Sequence, residues 1–389
     1  MTRRYHAPLK NKTQHRSSSS PLSAKNIQLL KKSWNRICKY KSSTPTSNSN
    51  PITDTDISHI KNTGMYTHIP EKIRQIFEST KQQGIRYETI LTRGRKVVIY
   101  IAAPSLLNTT TYLNNIIAWL NFISDIASTK CAQTLHIYLL LTDAKKRLPE
   151  IDTEPIDQIH ANTAFTTSCS SVNDIFVYRR EEWFKVLMHE TFHCFGLDFS
   201  SSIGDESNAH ILSIFHQVDP KTDIRLYETF CEMWGEVFHL LFCLFTKSSG
   251  KCLPFSDAKF QKALHKEQMF SIEQSNKILR RTGYQYKEMF SAPLAKKKYT
   301  ENTPAFSYYV IKSLMLFNLD RFMKWCAKYS TGMIQFRQNH IAEYCDFVEE
   351  LTKRDGGYSN IVERTNFSGS KGGEEIDTLR MTSIDPEWY

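Results

Sequence analysis

Between Val97 and Ile101 the chain reads Val-Val-Ile-Tyr-Ile, with no polar break. An apolar run that short predicts a strand buried on both faces. With the residues before it, segment 85–104 predicts two strands around Arg93-Gly94-Arg95. From Tyr112 to Ile126 the period changes, and Leu113, Ile116, Ile117, Leu120 and Ile123 fall on one helical face. Leu135 to Leu141 predicts another buried strand, and 143–160, with two prolines, a loop. Asn162 to Thr167 is short and mixed, as an edge strand would be. Ile175 to Tyr178 predicts a further strand, followed by a helix from about Glu181 to Phe195. Gly196 suits the left-handed position that ends such a helix. Glu181 and Glu182 suit its positive N-terminus.

Further helices are expected at about 224–246, 256–281, 304–328 and 333–351. Strands come first and helices after, which predicts an α+β protein with an N-terminal mixed sheet lobe and a C-terminal helical lobe. Residues 1–24 are rich in Ser, Lys and Arg and read as disordered. Residues 24–40 could form one basic helix, with Ile27, Leu29, Leu30, Trp34 and Ile37 as an incomplete apolar stripe; 41–55 read as a linker. The expected division is therefore a basic arm and linker over 1–55, a sheet lobe over 56–200 and a helical lobe over 201–353. A loose tail over 354–389, with Gly356-Gly357, Gly372-Gly373 and few apolar residues, completes it.

Composition narrows the function classes. Of 389 residues, 40% are hydrophobic, enough for a sizeable core. The net charge of +10 is concentrated: 11 of the 50 Lys and Arg lie within 1–50, which holds no Asp or Glu. The 39 others face 40 acidic residues, so the body is about neutral. That argues against a body built to wrap nucleic acid and leaves a basic arm able to reach it, or a tail with no specific partner, or a nuclear-import signal. The longest apolar stretch, Val237 to Phe245, is interrupted by His239 and falls short of the ~20 residues of a membrane span, so no membrane partner is expected. No apolar signal-peptide region opens the chain. The nine cysteines are scattered from Cys38 to Cys345 without a CxxC, which favours a reducing, intracellular compartment over a disulfide framework.

The chemistry lies in Met188-His189-Glu190-Thr191-Phe192-His193-Cys194-Phe195-Gly196-Leu197-Asp198, which contains HExxH. On a helix, His189 and His193 project from one face a turn apart, as two ligands of one Zn²⁺ require. Glu190 can reach the ion's water without being a ligand. The alternative is a helix whose two histidines line a polar patch. A catalytic zinc needs a third protein ligand. Six residues after His193 stands Phe199, and about twenty after it stand Leu212 and Ser213, so neither spacing supplies one. Glu228 and Glu232 are the next candidates, an ExxxE pair on a helix that Phe230, Met233, Trp234, Val237 and Phe238 make mostly buried. Buried carboxylates need partners. Glu228 is assigned as the ligand and Glu232 as the carboxylate that orients His189 or His193. Glu232 and Asp198 remain the alternative ligands.

In these residues the chain resembles the zincin metallopeptidases, in the branch whose third ligand is glutamate, over about 135–240. The resemblance implies one Zn²⁺ per chain and a protein or peptide substrate. It also implies an edge strand beside the active-site helix, and Asn162-Thr163-Ala164-Phe165 is similar to the Asn-Ala-Phe edge of thermolysin-like enzymes with a Thr inserted. Asn162 and Ala164 would then bind an extended substrate by strand addition. The His-to-Glu spacing is longer than in those enzymes. The whole chain also resembles uncharacterised metallopeptidases of large DNA viruses of eukaryotes, which implies the cytoplasm or nucleus of a host cell, or the virion.

The expected activity is peptide hydrolysis. The ion would supply a water acidified toward a pKa of ~7, whose proton Glu190 takes and passes to the leaving amine. The oxyanion needs a further donor. Tyr308 or Tyr309 could provide it, or both could be core aromatics. Arg179 and Arg180 could meet a substrate carboxylate or simply lie on the surface. Two other classes stay open: an inactive zinc-containing binding module, and a protease recruited to nucleic-acid-bound proteins by the basic arm.

Overall fold

The structure, a computed structural model, describes residues 20–41, 49–105, 108–202, 205–246, 252–292, 294, 297–365 and 376–384. Its six-stranded sheet comprises β1 (Ser49–Pro51), β2 (Gln83–Ile90), β3 (Lys96–Ala103), β4 (Thr134–Leu140), β5 (Ala164–Thr166) and β6 (Val172–Val177), in the order β1-β2-β3-β4-β6-β5. The three central strands β3, β4 and β6 are parallel; the outer pairings are antiparallel. The apolar runs are explained by two cores, one on each face. Ile99, Ile137 and Ile175 stand in register and are fully buried on one side. On the other, Tyr100, Tyr138, Phe176 and Phe165 stack ring on ring across four strands, with centroids 5.1, 4.4 and 5.4 Å apart.

The helices are α1 (Ala24–Lys41), α2 (Asp54–Lys61), α3 (Glu71–Glu78), α4 (Thr109–Ser124), the single turn α5 (Gln158–Ala161), α6 (Trp183–Cys194), α7 (Asp205–Ile214), α8 (Leu226–Thr246), α9 (Asp257–Arg281), α10 (Lys312–Phe317), α11 (Leu319–Tyr329), α12 (Ile341–Lys353) and α13 (Tyr358–Arg364). The aromatic face is covered by α2 and α3 through Ile60, Ile73 and Phe77. Neither helix was expected; each has only eight residues and one or two buried side chains, too little periodicity to stand out. The other face packs against α4 and the helical region. The protein is thus α+β, with a mixed sheet and a helical C-terminal region.

Two expected helices are interrupted. The 304–328 helix begins as a π-helix over Phe306–Ile311, continues as α10 and breaks at Asn318, whose side chain donates to Leu314 O, beside the regular bond from its own N–H, and to Asp355 O. The stretch 333–351 opens with a hairpin, β7 (Ser330–Thr331) against β8 (Gln335–Phe336), because Gly332 and Met333 take positive φ; α12 follows.

Both chain ends are more involved than the sequence suggests. In α1, Leu30, Trp34 and Ile37 are buried in the main core, Asn26 donates to Asp320, and Trp34 Nε1 donates to Leu253 O. Residues 24–41 therefore belong to the body, and so does the end of the expected linker, where 49–51 form β1 against β2 and α2 begins at Asp54; 1–19 and 42–48 lie outside the described residues. The expected loose tail is likewise corrected. It forms α13, and its residues 377–384 thread through the interior, with Leu379, Met381 and Thr382 buried. Two cysteine pairs, Cys38–Cys252 and Cys131–Cys169, lie at disulfide distance, so the expectation of a reducing compartment gains no support. Among the described residues no helix is long and apolar enough to cross a membrane.

Candidate metal centre

Every residue of α6 is buried, and its apolar side chains fill the core on most of its circumference. One stripe is polar: Lys185, His189 and His193, four residues apart. It faces the acidic stripe of α8, where Glu228 and Glu232 are likewise four apart. The helices pack closely at Gly235, where a Cβ would make ordinary contacts at 3.5 Å to Lys185 O and 3.7 Å to His189 Cβ. The C-terminal end of α6 is a Schellman turn: Gly196 has φ +64°, and Leu197 N–H donates to Phe192 O at 2.9 Å. That turn brings Asp198 back under His193.

Three acceptor atoms converge. His189 Nε2 is 3.0 Å from His193 Nε2 and 3.0 Å from Glu228 Oε2; His193 Nε2 is 3.3 Å from the same oxygen. Ligands ~2.0–2.1 Å from a tetrahedral ion stand about 3.3 Å apart, so this triangle fits one face of a zinc site. A carboxylate stands behind each ring. Asp198 Oδ2 lies 2.7 Å from His193 Nδ1, and Glu232 Oε1 lies 2.9 Å from His189 Nδ1. With a proton on each Nδ1 the Nε2 lone pairs would face the carboxylate, and three acceptors facing one point would call for a cation.

The electrostatics show what fills the triangle when protons do so in place of a cation. Burial then opposes ionisation of Glu228, but the charge of His193 and hydrogen bonds from both imidazoles outweigh it and hold the carboxyl below its usual range. Burial also opposes ionisation of Glu232, but the Lys185 ammonium and the His189 imidazole together outweigh it and hold this carboxyl below its usual range. Glu190 differs: burial pushes its carboxyl up. A second group, His193, Asp198 and Cys231, gathers on the Nδ1 side. Burial pushes the Cys231 thiol up, so it stays protonated and acts as a packing neighbour.

The triangle forms the floor of a cleft of about 480 Å³. Glu190 lines it, as do Asn162, Ala164, Phe165 and Thr166 from the β5 edge, Tyr227 and Arg225 from the start of α8, and Tyr308 from the π-helix. The Tyr308 ring is 6.1 Å from the His189 ring, and the Tyr227 ring is 5.8 Å from that of His193. Thr303 Oγ1 donates to Asn162 Oδ1 at 2.8 Å and ties the two walls together.

The structure thus brings together His189, Glu190, His193, Glu228, Glu232, Asn162, Ala164 and Tyr308. It separates Tyr309, which is buried and donates its hydroxyl to Leu379 O, so it is a core residue and no oxyanion donor. Arg179 is also buried, donating to Asn162 O and Lys145 O at 2.9 and 2.7 Å, and is unavailable to a substrate carboxylate. Arg180 faces Asp143 at 3.4 Å. Asp198 lies on the Nδ1 side of His193, away from the point where both Nε2 atoms and Glu228 converge. Sequence reasoning missed Tyr227 and Lys185. For Lys185 the signal was available: it precedes His189 by four residues and so shares its helical face.

No family model matches the chain, and no curated protein or solved structure matches it. What can be said of its class rests on the architecture and the site: an α+β protein with a buried His–His–carboxylate triangle at the floor of a polar cleft.

Proposed function

We propose that the protein is a zinc-dependent peptidase of the zincin type, in the branch with a glutamate ligand. One observation carries the proposal: three metal-facing acceptor atoms, both imidazoles braced by carboxylates, lie in one cleft with Glu190 and a free strand edge. His189, His193 and Glu228 would hold the ion. A zinc ion there supplies an acidified water and polarises a carbonyl. Glu190 is placed to hold a proton in the cleft, and its burial-raised basicity suits a general base near neutral pH. Tyr308 is kept as a neutral phenol by burial and can donate to a developing oxyanion. β5 ends the sheet, so its outer backbone groups can pair with an extended peptide lying along the cleft.

The test is metal content and peptide hydrolysis of the purified protein. About one zinc per chain is expected, with hydrolysis lost on chelation and restored by zinc. Full zinc content in a His189→Ala/His193→Ala double variant would overturn the proposal. An active enzyme carrying Glu190→Gln would rule out this mechanism; an inert wild type with zinc in place would favour the binding-module reading.

A second reading, recruitment to nucleic acid, is supported by α1. Its inner face is docked, while Lys25, Lys31, Lys32 and Lys39 are exposed on the outer one, and the helix contains no acid. Binding of a DNA duplex should weaken steeply with salt and vanish when these four lysines become glutamines.

A further inference from the structure

Beneath the metal centre lies a layer of charges that water does not reach. Lys185, Glu182, Lys146, Glu236 and Lys312 are all buried, each at most 1% exposed. Isolated charges in such a place are costly, and each needs a partner. Lys146 Nζ donates to Glu182 Oε2 at 2.7 Å, and Lys312 Nζ faces Glu236 Oε2 at 3.1 Å. Lys185 alone among them touches a carboxylate that reaches the proposed ligands. Its ammonium donates to Glu232 Oε2, while the other oxygen of that carboxylate, Oε1, lies against His189 Nδ1. The two oxygens of Glu232 are thus divided between Lys185 and His189.

The C-terminal strap, 377–384, closes this layer. Glu182 Oε1 accepts the N–H groups of Met381 and Thr382 at 2.7 and 2.6 Å. Glu267 accepts Ser383 and Ile384 N–H at 2.9 and 2.8 Å. Lys312 Nζ donates to Met381 O at 2.9 Å, and Met381 Sδ lies 3.6 Å from Lys185 Nζ. The strap covers the ammonium with a thioether, so that Glu232 is its strong acceptor.

We propose that Lys185 is the positioning residue of the metal centre: kept dry by the C-terminal strap, it anchors Glu232, and through Glu232 it sets the His189 ring so that Nε2 faces the ion. This rests on the metal-centre reading above. A lysine on the helix of the two histidines, one turn before the first, thereby acts on the ion through the opposite helix.

The test is zinc affinity of the full-length apoprotein, measured against a competing chelator, for Lys185→Met, Lys185→Arg, Glu232→Gln and Lys185→Met/Glu232→Gln. Thermal unfolding of each metal-free variant reports the fold separately. Lys185→Met should weaken zinc binding by ~10–100-fold, the usual loss when a ligand's support is removed. Lys185→Arg, which keeps the charge, should restore most of it. The double variant should bind within about threefold of Glu232→Gln alone, because both changes act through one contact. It also leaves no buried charge unpaired at this contact, so it serves where Lys185→Met fails to fold. Wild-type affinity in Lys185→Met overturns the proposal, as does an equal loss in Lys185→Arg or full additivity in the double variant. If neither Lys185→Met nor the double variant folds, while Lys185→Arg folds and binds zinc normally, Lys185 serves the fold alone and the proposal fails. His193→Ala separates the two readings. If it binds zinc as wild type does, the metal centre falls and this proposal with it; if it loses zinc while Lys185→Met keeps it, only this proposal falls.

Discussion

Asp198 sits behind His193, with Oδ2 2.7 Å from Nδ1, on the opposite side of the ring from the atom that faces Glu228 and His189. One side of the imidazole is thus held while the other is presented. The same division of labour holds at His189, with Glu232 as its support.

Ligand and support should separate in measurement. Glu228→Ala removes one of the three proposed ligand atoms, and zinc content after dialysis should fall to background. Asp198→Ala leaves all three and should cost ~10–100-fold in zinc affinity. Equal zinc content in wild type and Glu228→Ala would reverse the assignment.

Glu190→Gln should keep zinc content and unfolding temperature while abolishing peptide hydrolysis. The amide has nearly the same shape but cannot take a proton from water, and loss of a general base typically costs ~10²–10⁴-fold in rate. Single-turnover assays on zinc-loaded protein would measure the loss.

Acid stability should depend on Glu182. Burial opposes its ionisation, but the charges of Lys146 and Lys185 outweigh this and lower it from 4.5 to about 2. A carboxyl lowered on folding stabilises the protein above its unfolded pKa, and that stability is lost as pH falls through the folded value. The shift corresponds to about 3 kcal/mol, given up between about pH 4.5 and pH 2. Denaturant unfolding at pH 7 and pH 3 should show a smaller difference for Glu182→Gln than for wild type.

The N-terminal helix should prove integral to the body. Trp34 is 4% exposed, packs against Phe245 and Phe255, and donates its ring N–H to Leu253 O. Trp34→Ala should destabilise the protein by about 3–5 kcal/mol, the usual cost of emptying a large aromatic site. A change under 1 kcal/mol in urea unfolding would show that α1 docks only loosely.

Patterns that repeat along the chain were legible without coordinates. Continuous apolar runs marked β3, β4 and β6 because most residues there are buried on one face or the other. Helical spacing marked α4, α8 and α9. HExxH placed His189 and His193 together, because residues one turn apart on a helix must share a face, with Glu190 next to the first of them. The ExxxE pair on α8 could be matched to it because an apolar helix leaves carboxylates few places to go.

What no local pattern contains is which distant groups meet. Asp198 could be a ligand or a support until the turn at Gly196 set it under Nδ1. Tyr308 and Tyr309 are adjacent in sequence, yet one lines the cleft and the other donates to Leu379 O, and only the path of the π-helix separates them. The strap at 377–384 lacks both apolar periodicity and turn signals. It is held by main-chain bonds to Glu182 and Glu267, more than a hundred residues away. The sequence by itself determined strands β2 to β6, the main helices and the face of α6 that carries both histidines, since these follow from the spacing of side chains along a regular backbone. Only the tertiary structure decided the supports behind the ligands, the buried charge layer and the closing strap, because a buried charge is stable wherever the fold brings it a partner, and the partner's position along the chain is unconstrained.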